Sequence, residues 1–248
     1  MNRRAWNKWR RFILERYGRR DFRLRSTMPY ISFTFDDFPR SALIEGGRIL
    51  VKHGIRGTYF VSFRLLGGQS ASGPIASRAD LEALLGDGHE LGCHTFEHLD
   101  GCTSTIAAFE QSIALNRAAL AAYVPDLSVF AYPLDGPVLS IKRAVGPHFL
   151  GCRGGGQTFN AGSIDLNLLK AYFLDSKSRG DLESVRRVID DNARARGWLI
   201  FATHDVADAP SPYGCTPSYF DEVVRLACES GARVLPMMRV CRAVGIAP

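Results

Sequence analysis

Short apolar runs alternate with helical stretches from residue 30 almost to the end of the chain. YISFTF (30–35), GTYFVS (57–62), HELGCH (89–94), SVFAYP (128–133), HFLGCR (148–153), KAYFL (170–174), WLIFATH (198–204) and ARVLPM (232–237) read as strands. Between them lie amphipathic segments with helix signals at their ends. Ser77 and Asp80 form a capping-box pattern, Thr216 and Pro217 open another helix, and Gly197 and Gly231 mark helix ends. Such alternation predicts a parallel sheet closed or nearly closed into a barrel, with a doubly wound open sheet as the alternative. Neither a G-x-G-x-x-G turn nor a phosphate-binding G-K-[ST] loop follows the first strand, which removes weight from nucleotide-binding versions.

In parallel barrels, chemistry collects at the C-terminal ends of the strands. Several polar residues of this chain stand there: Asp36 and Asp37 after the first strand, His94 after the third with His98 four residues on, Tyr132 and Asp135 after the fourth, Arg153 after the fifth, and His204 after the seventh. Adjacent aspartates repel one another, and a divalent cation removes that repulsion. Two histidines spaced i, i+4 on a helical turn, or on a loop imitating one, can share such an ion. One carboxylate then completes an Asp-His-His set, leaving an open position for water, while the other is free to act as general base. Glu97 directly precedes His98, the wrong offset for the H-E-x-x-H base, and is expected to point elsewhere.

The charge is uneven. Residues 1–25 carry ten Lys/Arg and two Asp/Glu, a net of +8, while the rest carries 21 and 23, a net of −2. The chain therefore divides into a basic aromatic arm, 1–25, and a barrel domain, 26–248, and the barrel has no basic excess to suggest nucleic-acid binding. In the arm, Trp6, Trp9, Ile13 and Tyr17 recur at helical spacing. That stripe suits either docking on the body or peripheral contact with an anionic membrane. The arm lacks the apolar core of an export signal, and none of the six cysteines forms a C-x-x-C pair. The expected setting is cytoplasmic, with free thiols and with the inner membrane face as the peripheral location.

TFDDF, GHELGCHTFEH, FAYPLDG and FATHD, in this order, resemble the motifs of the polysaccharide deacetylases of carbohydrate esterase family four, the proteins with a NodB-type homology domain. The resemblance covers about residues 29–240. It implies a distorted (β/α)7 barrel and a metal-dependent hydrolase that removes N- or O-acyl groups from sugars. It also implies one divalent ion, Zn²⁺ first, with Co, Ni or Mn as alternatives. Carried over residue by residue, Asp36 is the catalytic base, Asp37, His94 and His98 are the metal ligands, and His204 is the acid that protonates the leaving amine. The chain departs from the pattern at the third motif, where Ala131 and Tyr132 stand in place of an Arg before Pro133. Arg153 is the candidate replacement, and the backbone N–H near Leu134 the candidate oxyanion donor. The fourth Asp-Trp motif is absent, leaving Asp175 or Asp181 to orient His204. Cys215 is expected near the groove without a catalytic role.

The expected substrate is an acylated sugar or a lipid-linked sugar intermediate of surface polysaccharide, with acetyl or formyl as the acyl group. A non-catalytic carbohydrate-binding protein on the same barrel is the alternative, and its signature would be loss of a metal ligand or of the base.

Overall fold

The structure is a computed structural model and describes residues 3–134, 136–175 and 181–247. Asp135, placed above at a strand end, lies outside them. The strands are β1 (Asp21–Arg23), β2 (Tyr30–Phe35), β3 (Thr58–Val61), β4 (Gln69–Ser70), β5 (Gly73–Pro74), β6 (Glu90–Cys93), β7 (Val129–Ala131), β8 (Gly151–Arg153), β9 (Ser163–Asp165), β10 (Tyr172–Phe173), β11 (Trp198–Thr203) and β12 (Arg233–Val234). The helices are α1 (Arg3–Arg16), α2 (Arg48–Lys52), α3 (Arg78–Gly86), α4 (Ile106–Leu120), α5 (Leu139–Val145), α6 (Leu182–Ala195), α7 (Pro217–Glu229) and α8 (Met237–Ala243).

The principal sheet is parallel and runs β10-β11-β2-β3-β6-β7-β8. A bridge between Arg153 and Leu169 carries β8 back toward β10, so the sheet curls into a distorted, incompletely closed barrel. Part of the distortion lies beside β2. β12 pairs with its start at Tyr30 and Ile31, while β3 pairs with its end at Thr34 and Phe35. The expected (β/α)7 barrel is therefore the architecture found.

Alternation along β2 divides the core into two layers. Phe33 and Phe35 face outward to the helices, where Phe33 stacks on Phe201 and meets Phe220 edge-on, and Phe35 stacks on Tyr59. Ser32 and Thr34 face the other way. Ser32 accepts the indole N–H of Trp198, and the Thr34 hydroxyl donates to the Phe201 carbonyl, so their polar groups are satisfied in a buried interior. The Ser77–Asp80 capping box opens α3, and Thr216 caps α7.

Two sequence expectations change. α6 ends at Ala195, two residues before Gly197: Arg196 takes the left-handed position at φ 49°, and Gly197 follows it. The glycine is needed for close approach, since a Cβ there would lie 2.7 Å from the Asn160 carbonyl oxygen. The arm also departs from the reading in which its aromatic stripe docks on the body. α1 docks through Leu14 and Arg10, which are buried, while Trp6, Trp9, Phe12 and Tyr17 stay exposed. Lys142, wholly buried, donates to the carbonyls of Leu14 and Tyr17 and pairs with Asp165 at 2.6 Å. After α1, β1 pairs antiparallel with β9. Among the described residues no helix is long and apolar enough to cross a membrane.

Candidate metal centre and catalytic cleft

Because the sheet is parallel, the residues after β2, β6, β7, β8, β10 and β11 emerge at one end of the barrel. They line a cleft of about 820 Å³ containing Asp36, Asp37, His94, His98, Arg153 and His204. Tyr132, Leu134, Phe173 and Asp175 join them, and Trp6 and Asn7 of α1 form part of the rim.

Asp37, His94 and His98 converge. Their ligating atoms all lie within 4.8 Å of one another. Asp37 Oδ1 is 3.0 Å from His98 Nε2 and 3.4 Å from His94 Nε2, yet it is buried and aligned for a hydrogen bond with neither. A buried carboxylate oxygen facing two imidazole nitrogens is a donor set that fits a divalent cation. His94 Nδ1 lies 2.8 Å from the Ala131 carbonyl, an acceptor only. The proton therefore sits on Nδ1, which leaves the Nε2 lone pair facing the centre, as a ligating histidine requires. His94 and His98 do not share a helical turn. Thr95 and His98 take positive φ, at 60° and 59°, so a tight loop brings the two rings to 4.9 Å. Asp37 is likewise left-handed at φ 62°. Backbone strain at two ligands of one site marks a geometry imposed by its surroundings.

Asp36 occupies a different environment. It is nearly fully buried, its N–H donates to the Thr203 carbonyl, and its Oδ1 receives a hydrogen bond from the Arg153 guanidinium. Burial alone would raise its pKa, but Arg153 first, then His94 and His204, outweigh that and hold the carboxyl below the usual carboxylate range. Burial opposes ionisation of Asp37 as well, and His94 and His98 reverse the sign, pulling its pKa well down. Both aspartates are therefore anionic side by side, one facing an arginine and the other two histidines. Arg153 reaches Asp36 from β8, the next strand in sequence after the motif in which the family pattern carries its arginine.

The other candidates separate on position. Tyr132 is buried, and its hydroxyl donates to the Asn167 carbonyl at 3.1 Å, so that group is turned away from a substrate. Leu134 lines the cleft with 65% of its surface exposed and φ 57°. His204 Nδ1 is buried without a hydrogen-bond partner. Asp175 lines the cleft, whereas Asp181 caps α6 by accepting the Ser184 N–H, so Asp181 is removed as an orienter of His204. Glu97 accepts the Ser112 hydroxyl on α4 and points away, as its offset implies. Cys215 does not line the cleft; it is buried, and burial pushes its thiol up to about 12. None of the six cysteines forms a disulfide. The sequence reading missed Trp6 and Asn7 as part of the rim. Helical spacing shows that a stripe exists and does not say which face will meet a cleft.

Residues 24–137 match the family model described as polysaccharide deacetylase. No curated protein matches the sequence. Among solved structures, the fold resembles a family 4 acetyl xylan esterase from Clostridium thermocellum in complex with a cobalt ion, at 18% identity and TM-score 0.62, covering 88% of this chain and 93% of that one. It also resembles the chitin deacetylase of the fungal pathogen Colletotrichum lindemuthianum, at 17% identity and TM-score 0.60, over 91% and 92% of the two chains. A CE4 family pseudoenzyme from Bacillus anthracis shares the fold at 14% identity and TM-score 0.59, over 89% of this chain and 68% of its own. Residues 24–137 thus belong to the polysaccharide deacetylase family, and the chain as a whole has the barrel of carbohydrate esterase family four.

Proposed function

We propose that this protein is a metal-dependent hydrolase that removes an N-acyl group, acetyl or formyl, from a sugar, and that the sugar is a lipid-linked intermediate of surface polysaccharide. A pseudoenzyme shares the fold, so the fold alone does not decide between catalysis and the competing reading, a non-catalytic carbohydrate-binding protein. The observation that favours catalysis is the buried Asp36–Arg153 pair standing beside the Asp37, His94 and His98 triangle, because neither the base nor a ligand is lost.

Asp37, His94 and His98 would hold the ion, Zn²⁺ first, with Co, Ni or Mn meeting the same donor set. When bound, such an ion polarises an acyl carbonyl and lowers the pKa of water. Asp36, anionic beside Arg153, accepts the proton of the attacking water. Arg153 fixes the direction of that carboxylate. The backbone N–H near Leu134, at the mouth of the cleft, donates to the oxygen that gains charge as the carbonyl is attacked. His204, across the cleft, gives a proton to the departing amine.

The same reading seats the protein at the cytoplasmic face of the inner membrane. In its support, α1 exposes Trp6, Trp9 and Phe12, and Tyr17 just after it is exposed too, with the two tryptophan rings 5.4 Å apart and Arg16 stacked 3.9 Å over Phe12. Aromatic and basic side chains together suit an anionic lipid surface. A mass-spectrometric screen of N-acylated sugars and lipid-linked sugars with metal-loaded protein tests the function. Loss of an acyl group from one of them is expected, and sugar binding without any such loss would favour the non-catalytic reading.

A further inference from the structure

Behind α1 lies a second groove, of about 430 Å³, that opens into the catalytic cleft. The two cavities share Asn7, Gly136, Gly154 and Gly155, so a bound molecule can pass from one to the other over a wall of glycine backbone. Along that wall a Cβ on Gly154 would lie 2.7 Å from Leu168 Cδ1, while Gly155 and Gly136 leave the passage open.

The second groove is basic, and two of its cations are uncommitted. Arg10 is turned to Cys102 and Gly136, and Arg19 is held by Asp21. Of the acids, Asp165 is neutralised by Lys142 at 2.6 Å, leaving Glu15. Arg11, on α1, and Lys170, just before β10, line the groove, and their side chains make no hydrogen bond or ion pair among the described residues. Gly155 and Gly156 lie at the surface, and their amides enter no backbone hydrogen bond among the described residues. Free cations beside free amides, in a recess with low-dielectric walls, attract and orient an anion.

We propose that this groove seats a phosphate or diphosphate ester carried by the reacting sugar, so that the acyl group lies at the metal centre and the charged linker lies between Arg11 and Lys170. For the sugar's position the proposal rests on the deacylase reading; for the anion it rests on the groove alone. A solvated pair of surface cations is the bland reading, and it predicts no shared ligand.

The test is calorimetric titration of inorganic diphosphate into metal-loaded, full-length protein. Wild type is compared with R11A/K170A and with the charge-keeping R11K/K170R. Both residues are exposed, so neither change removes a buried contact. R11A/K170A should weaken binding about tenfold or more, from the loss of two charge-assisted contacts, and R11K/K170R should retain most of it. Equal affinity in all three proteins would mean that diphosphate is held at the metal centre alone and would overturn the proposal. Two N-acetylated probes separate the sources of the linker, a nucleoside diphosphate sugar and a short-chain prenyl diphosphate sugar. Loss of affinity in R11A/K170A for either supports the subsite and names its linker, while loss for neither overturns it. If no acylated sugar is hydrolysed but diphosphate binding still depends on Arg11 and Lys170, the groove stands and the deacylase reading fails.

Discussion

Arg153, at the end of β8, donates its guanidinium to Asp36 at the end of β2, and both side chains are buried. The pair joins two strands on different sides of the barrel at the point where the proposed chemistry begins. Arg153→Ala would strand a buried charge, which typically costs about 3–5 kcal/mol. In protein that still folds, it should lower kcat by about 10²-fold or more while metal content stays at one ion per chain. Arg153→Lys should recover part of the rate, because it restores the charge without the planar fork. Full activity in Arg153→Ala with wild-type metal content would remove Arg153 as the residue that positions the base.

The two aspartates should fail differently. Asp37→Asn should lose the ion, as should His94→Ala, by elemental analysis of the purified protein. Asp36→Asn should retain it and lose about 10²–10⁴-fold in rate, the usual scale for removing a general base. If Asp36→Asn loses the metal and Asp37→Asn keeps it, the assignment is reversed.

His204 can be separated from a merely structural residue by changing the leaving group. An amide nitrogen needs a proton to depart, whereas the phenolate of an activated aryl ester does not. His204→Ala should therefore depress amide hydrolysis by about 10²–10⁴-fold and aryl-ester hydrolysis far less. Equal loss on both substrates would point to a damaged site instead of a missing acid.

His89, at the opposite end of β6 from His94, accepts the Gly57 N–H on Nδ1 at 3.0 Å. Burial, with Arg56 nearby, pushes its pKa down to about 4. Its folded pKa lies below the unfolded value of about 6.5, so protonation favours the unfolded chain. The stability it contributes is complete above pH 6.5 and is lost as pH falls toward 4, by up to about 3 kcal/mol for a shift of this size. Thermal melts between pH 7.5 and 4.5 should show a shallower acid decline in His89→Asn than in wild type. Parallel curves would exclude His89 as a source of the acid sensitivity.

Membrane contact can be tested without removing α1, which would also remove Leu14 and the partners of Lys142. The double variant Trp9→Glu, Phe12→Glu alters only exposed positions of the aromatic face. Wild type should co-sediment with phosphatidylglycerol-containing vesicles, less so in high salt, and the variant should bind about tenfold more weakly with unchanged hydrolysis of a soluble substrate. Equal sedimentation would end the membrane reading. Tighter retention of wild type by duplex DNA than by vesicles at equal salt would replace it with polyanion binding.

Much of the barrel and the convergence of its polar residues was legible in the sequence, because both depend on short-range patterns. Strand–helix alternation sets the parallel sheet, and a parallel sheet sends every strand-end residue to one mouth. Asp36, Asp37, His94, His98 and His204 needed only that rule. Arg153 was visible as a candidate and no more, since its partner stands on a strand far away in sequence. The placement of α1 was less accessible still. Its aromatic spacing is the same whether the stripe faces in or out, and the deciding contacts come from Lys142 and Gly136, well over a hundred residues downstream. The Gly197 reading went astray for a different reason: glycine is permitted by a left-handed turn, but here it is required by a neighbouring carbonyl, and an arginine takes the turn.

The long reach of Lys142 bears on the order of assembly. Helix α1 is made before the barrel, yet it is anchored by a side chain 128 residues beyond Leu14, and that side chain is itself paired with Asp165. Until synthesis has passed residue 165, α1 lacks the Lys142–Asp165 pair that completes its anchor. One rim of the cleft is therefore completed only after most of the barrel has been made, and a nascent chain that has already brought Asp37 to His94 and His98 still has an open side.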